Sequence, residues 1–526
     1  MARSTIFWHK MIAVICIMMS IVIFTSCRTT NPNRDKEVPS EPQYGGTLNI
    51  AVGSISTLDG HAESSDEPMT RHIYETVLAL DKDYMPTRGV CSYELSDDFL
   101  KLSLKVRDGL LFHDGTKVTA EDVGASIQRW IDMSVTGISY VGKYLMDDGT
   151  GIVILDESSL ELNFASVASA ALGSMGFEFI GPFVKPKWVC EKYGTEVISD
   201  DADFIGTGPY KLVEWVRDSH VKMDRFEEYV GTGNDCGGPG GDKKAYADTI
   251  IFHFVSDQDA GINGVLSNTY DLYKNVNYTI YQTQQDNPDV KFEIINDGVR
   301  PTMVLNKAMG WTANKTFRQA VLAVIDCDAV MTAAFGTPEL YKLESSWAYG
   351  IGSDLYNQGD MAKCKRLLEE CGYDGEEVVY LTMESGYYHD VAVVAVEQMK
   401  QAGINVRLDI VDQAQLYSMR SDPTTFSFFS VGFSEKTDPA MIAFLGDGWP
   451  GLWVNDQKTE ILDKMAQTMD LDEKKVLWKE MTDLIYDDVP VVLFGIRANC
   501  TMVSWRTMNA QHVGGEPYYW NVWLIQ

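Results

Sequence analysis

Positive charge is what this chain of 526 residues has least of: 44 lysines and arginines stand against 75 aspartates and glutamates, a formal net charge of -31. Such acidity opposes binding to nucleic acid and to anionic membrane surfaces, and it suits a soluble extracytoplasmic protein. Catalytic motifs are missing as well. There is no His-Glu-x-x-His, and the nearest approach to Gly-x-Ser-x-Gly, Gly173-Ser174-Met175-Gly176, has Leu172 where the first glycine belongs. His61, His72, His113, His220, His253, His389 and His512 are scattered without ligand spacing, which reads as structural or solvent-facing rather than metal-binding. Neither an enzyme, a metal centre nor a cofactor is expected.

Cysteines are few, 9 in the whole chain. Setting aside Cys16 and Cys27 near the N-terminus leaves Cys91, Cys190, Cys236, Cys327, Cys364, Cys371 and Cys500, an odd set that makes no complete disulfide framework. Cys364 and Cys371 would lie two helical turns apart, roughly 10 Å at the helical rise, too far for a bridge. The glycine-rich stretch 231–242, GTGNDCGGPGGD, lacks the Gly-Lys-Ser/Thr ending of a phosphate loop and opens no helix, so it reads as a surface loop. No internal repeat interrupts the chain.

What is present points to a large, well-packed protein. Hydrophobic residues make up 45% and aromatics 11%, and the length asks for two or three domains. Arg3 and Lys10 precede an apolar run from Met11 to Phe24, too short for a comfortable permanent span, which reads as a secretory signal. Residues 28–43, with Pro32, Pro39 and Pro42 among polar neighbours, read as a flexible tether. Further on, Leu100, Leu102, Leu104 and Val106 alternate with polar residues as a half-buried strand. Asp108-Gly109 then permits a reversal that would return Leu110 to Phe112 along that strand. Thr119 with Asp122 reads as a capping box opening a helix with Val123, Ile127, Trp130 and Ile131 on one face.

These residues also carry a resemblance. FHDGTKVTAEDV, the opening GGTL at Gly45 to Leu48 and the turn Gly206-Thr207-Gly208-Pro209-Tyr210 resemble the signatures of the family-5 solute-binding proteins, receptors of peptide and nickel ABC importers. Phe24-Thr25-Ser26-Cys27 resembles a bacterial lipobox, which implies lipidation at Cys27. The resemblance implies an α/β, type II periplasmic-binding-protein fold of three lobes with a hinged ligand cleft. Residues 1–26 would be the signal and 27–43 the tether. Residues 44–80, 205–298 and 491–526 would form lobe I, 81–204 lobe II and 299–490 lobe III. The crossings near Val299 and Pro490 would be the hinge.

In the third segment, Val378 to Met383, a helix from His389 to Ala402 and Ile404 to Ile410 read as a strand, helix, strand unit with parallel strands. Aromatics crowd the connections there, the trace left by a binding surface. In peptide-binding relatives a strand-end turn just before an Asp-Pro carries an acid that pairs with the ligand ammonium, and the matching residue here is Glu435. Trp347, Tyr349, Tyr387, Trp453, Arg300 and Ser54 complete the expected ligand-binding set. Dipeptide-binding relatives also place an arginine in the turn before the helix at His389; here that turn, Glu384-Ser385-Gly386-Tyr387-Tyr388, has none. The expected function is capture of a small ligand, foremost an oligopeptide, by a monomeric lipoprotein on the extracytoplasmic face of the cell membrane, for delivery to the permease subunits of an ABC importer. Binding of a metal chelate or oligosaccharide, or a sensor role without transport, are the alternatives.

Overall fold

The computed structural model describes residues 39–62, 68–177, 181–274, 276–295, 299–384, 386–434, 436, 438–513 and 516–526. Three larger sheets organise the chain, each with its own apolar core. The first has seven strands in the order Val290–Ile295, Asn499–Ser504, Leu272–Tyr273, Thr47–Val52, Thr249–Phe254, His220–Arg225 and Tyr210–Val216. Thr47–Val52 lies at its centre, parallel to both neighbours. Leu48 and Ile50 turn inward on the period of a strand and meet Val221, Met223, Ile250 and Phe252.

The second sheet is antiparallel, in the order Cys91–Leu95, Lys101–Val106, Ser159–Asn163 and Ile152–Ile154. The expected capping box is present: Thr119 Oγ1 accepts from the Asp122 N–H, and the Asp122 carboxylate accepts from the Thr119 N–H. The helix it opens, Ala120–Met133, lays Val123, Ile127, Trp130 and Ile131 into the second core. The expected hairpin is a correction. Lys101–Val106 pairs with Cys91–Leu95 on one side and Ser159–Asn163 on the other, so both its edges are taken and Leu110 to Phe112 cannot return along it. The reversal comes at the second Asp-Gly, where the Phe112 N–H donates to Thr116 O and the Val118 N–H to Leu110 O.

The third sheet runs Val406–Val411, Val378–Met383, Phe428–Phe433, Arg300–Leu305 and Val491–Leu493. Val378–Met383 and Val406–Val411 are parallel and flank the helix Tyr387–Gln401, as the sequence suggests. Several boundaries differ from those expected. Val77 and Leu78, assigned to the first lobe, pack in the second core. Phe183, Val189, Ile198 and Phe204, assigned to the second lobe, pack in the first. Val491–Leu493, expected to belong to the first lobe, pairs with Thr302 to Val304 in the third sheet, because its apolar side chains complete that core. The return crossing therefore falls beyond Phe494, at Ile496–Arg497, rather than at Pro490. The two crossings touch: the Arg497 N–H donates to Val299 O at 3.0 Å, and the Phe494 N–H to Pro301 O at 3.1 Å.

Candidate functional site

Beside these crossings a cavity of about 680 Å³ opens between the first sheet and the third core. Gln258, Asn277 and Cys500 line it from the first sheet's side, Phe335, Tyr387 and Tyr388 from the third, and Arg497 at the crossing. The tyrosines are set by the strand, helix, strand unit. Val378–Met383 ends before Glu384, Gly386 takes a φ of 69° that admits a tight entry, and the helix begins at Tyr387. Thr382 Oγ1 donates to Tyr388 O at 2.8 Å, fixing the start of the helix to the strand, and lies 3.0 Å from Ser430 Oγ. The two rings lie 4.1 Å apart, and Tyr387 also meets Phe335 at 5.6 Å. Burial pushes the Tyr387 hydroxyl well above its ordinary range, and the neighbouring Tyr388 adds to it.

Gly432 explains how the tyrosines approach the neighbouring strand. A Cβ there would stand 2.3 Å from Val299 Cγ1, 2.6 Å from Tyr387 Oη and 3.0 Å from Tyr388 Oη. The absent side chain leaves room for both hydroxyls against Phe428–Phe433, the strand that leads to Glu435. Arg497 completes the wall, its guanidinium 5.0 Å from the centroid of the Tyr387 ring. This arrangement offers aromatic surface, phenol hydroxyls and one cation, the means to hold a polar ligand with an apolar body.

Of the residues expected to bind ligand, Tyr387 lines this cavity. Glu435 and Cys27 lie outside the described residues. Trp453 is buried in the third core, its indole N–H donating to Asp488 Oδ2 at 2.6 Å. Trp347 packs edge-on against Phe433 at 5.6 Å and Phe444 at 4.9 Å. Tyr349 packs on the same core, and burial, then Asp438, holds its phenol above the ordinary range. Arg300 is buried, with Nε donating to Ser346 O at 3.4 Å. Ser54 is exposed beyond the end of Thr47–Val52. Sequence reading passed over Arg497; the available signal was a lone basic residue directly after the buried run 489–494 in an acidic chain.

The glycine-rich loop is explained by packing. The Gly240 N–H donates to Leu80 O at 2.7 Å, Asn234 Nδ2 donates to Arg88 O at 3.0 Å, and a Cβ at Gly240 would stand 2.4 Å from Thr87 Cγ2. Its glycines let it lie against 80–88. Among the described residues, no group of three or more His, Cys, Asp or Glu could hold a metal ion, and no helix is long and apolar enough to cross a membrane.

The family described as bacterial extracellular solute-binding proteins, family 5, middle segment, matches residues 86–448. The periplasmic-binding protein y4tO of Sinorhizobium fredii, named for a peptide ABC transporter, is 27% identical over 505 residues, covering 90% of this chain and 93% of its own. The glutathione-binding protein GsiB of Escherichia coli is 24% identical over 468 residues, covering 84% of this chain and 87% of its own. Among solved structures, the ABC transporter substrate-binding protein CtaP of Listeria monocytogenes is similar with a TM-score of 0.79 at 22% identity, covering 92% of this chain and 100% of that one. The fold is thus the mixed α/β periplasmic-binding fold that the sequence motifs imply.

Proposed function

This chain belongs to the bacterial extracellular solute-binding proteins of family 5, and from that premise we propose that it captures a short peptide between its first and third lobes and presents it to an ABC importer. The observation that carries this reading is the cavity itself. It is walled by the first sheet on one side and the third core on the other, it lies against the two hydrogen-bonded crossings, and its volume of about 680 Å³ suits a small ligand. Closing about those crossings would desolvate the ligand and create the surface an importer reads. The names of the relatives, one for peptides and one for glutathione, itself a small peptide, favour a peptide over a sugar or a metal chelate. A lipid on Cys27 and the tether that follows would hold the binding unit at the extracytoplasmic face of the membrane.

In this reading Glu435 receives the ligand's ammonium group. A carboxylate enclosed by a closing cleft needs a cation, and a peptide amine supplies one with a charge-assisted hydrogen bond. Calorimetry on Glu435→Gln should show peptide affinity weakened by about 1.5–3 kcal/mol, the range for a hydrogen bond to a charged group. Unchanged affinity would remove Glu435 from the site.

A further inference from the structure

Three arginines with buried side chains elsewhere in the protein are matched to acids. Arg107 Nη2 lies 2.9 Å from Glu75 Oε2, Arg129 Nη2 lies 2.7 Å from Asp59 Oδ2, and Arg318 pairs with Asp488. Arg497 differs. Its guanidinium makes no hydrogen bond or ion pair with any described residue, and its Nε is shut off from water without an acceptor. An Nε held in that state is costly, because a desolvated donor left unpaired forfeits its hydrogen bond to water. The guanidinium does not sit in a random place either. It stands on the wall of the cavity, over the Tyr387 ring, on the strand Ile496–Arg497 that links the first and third cores.

We infer that Arg497 anchors a carboxylate of the bound ligand. The planar fork of a guanidinium matches the two oxygens of a carboxylate, and the Tyr387 ring, 5.0 Å from the guanidinium carbon, adds cation–π attraction. The start of the helix Tyr387–Gln401 faces the same cavity behind Gly386, which has no side chain to cap it, so the first-turn N–H groups add positive potential where the anion would lie. Two acids also line the cavity. Asp390 is engaged by His389 Nδ1 at 3.1 Å, and Glu384 is exposed and forms no ion pair with Arg497. The net charge of -31 repels anions at long range, so preference for a carboxylate must come from a local group of this kind.

The inference rests on the reading of this cavity as the ligand site, and it replaces an absence noted in the sequence. The turn 384–388 carries no arginine, yet Arg497 brings one to that turn from a strand far along the chain. An amine anchor at one end and a carboxylate anchor at the other would select zwitterionic peptides of limited length. Because the Arg497 N–H also donates to Val299 O, the anchor is built into the crossing about which the lobes would close.

The test uses two synthetic pools of di- to pentapeptides of identical sequence composition, one with free C-terminal carboxylates and one with C-terminal amides, offered to the protein and read by native mass spectrometry and calorimetry. The wild type should prefer the free-acid pool by about 10- to 100-fold, the span expected for one charge-assisted contact. Arg497→Gln should bring that ratio to about 1, and Arg497→Lys should keep part of it. The ratio is internal to each variant, so a general loss of stability does not mimic the result. Amides retained only when they contain Asp or Glu would assign the carboxylate to a side chain and still support the anchor. Equal binding of both pools by the wild type, or an undiminished ratio in Arg497→Gln, would overturn the inference while leaving peptide capture intact. Binding of neither pool would overturn the peptide reading and this inference together.

Discussion

Three histidines, His61 and His72 buried and His113 half-buried, are each held in one neutral tautomer by hydrogen bonds at both ring nitrogens. His72 Nδ1 donates to Pro68 O at 2.7 Å and Nε2 accepts from the Tyr519 N–H at 3.2 Å. His113 Nε2 donates to Gly208 O at 3.0 Å and Nδ1 accepts from the Gly206 N–H at 3.4 Å. His61 Nε2 donates to Phe183 O at 2.8 Å and Nδ1 accepts from Arg129 at 3.1 Å. A second proton on any of these rings would break an accepted bond inside the core. Burial accordingly lowers His72 to about 3 and His113 to about 4, and holds His61 well below its ordinary value. An unfolded histidine binds its proton near 6.5, so between 6.5 and these values the unfolded chain holds more protons than the folded one. Stability is therefore complete above about pH 6.5 and falls as acid is added, by about 1.4 kcal/mol per pH unit for each histidine. Denaturant unfolding at pH 7.5, 6 and 5 should show this slope, and His113→Gln should flatten it. Stability constant across that range would refute it. At this scale the sequence showed that the histidines lack ligand spacing, since spacing is local. Which were buried was not legible, because burial depends on partners such as Tyr519 that are distant in the chain.

At the scale of elements, the two most specific sequence motifs prove to be one seam. His113 of FHDG bonds to both Gly206 and Gly208 of GTGPY, through its ring and through its own N–H, which donates to Gly206 O at 3.0 Å. The glycines are needed for close approach. A Cβ at Gly206 would stand 2.1 Å from Ile73 O, and one at Gly208 2.3 Å from His72 O, both backbone atoms that cannot rotate away. The seam joins the second core to the first. Gly206→Ala should cost at least about 1–3 kcal/mol, the range for overpacking, visible as a lowered thermal midpoint; an unchanged midpoint would contradict the close packing. The helix 120–133 was legible because cap and stripe lie within one turn of each other. The strand pairing beside it was not, because Lys101–Val106 takes Ser159–Asn163 as a partner from far downstream, and alternation marks a strand without naming its neighbour.

At the scale of the molecule, the chain leaves the first core, builds the third and returns, and the two crossings meet through Arg497 and Val299. The motifs near the N-terminus identify the fold, while the cavity is made where the chain crosses, from Tyr387, Tyr388 and Arg497. The sequence showed the tyrosine turn as a cluster of aromatics between elements. It could not show that Arg497 joins that turn, since only the pairing of Val491–Leu493 with the third sheet carries the return crossing to that point. Trp453 and Trp347 illustrate the converse: aromatics between elements also serve as core, and Trp453 is tied to Asp488 within it. The central claim is that this cavity holds a peptide. It is tested most directly by native mass spectrometry of the protein purified without refolding, followed by acid release of whatever it carries. The account predicts a mass above that of the bare chain and released short peptides with free amino and carboxyl ends. A protein that stays at its bare mass even after a free-acid peptide pool is added, or that releases a metal chelate or an oligosaccharide instead, would contradict it.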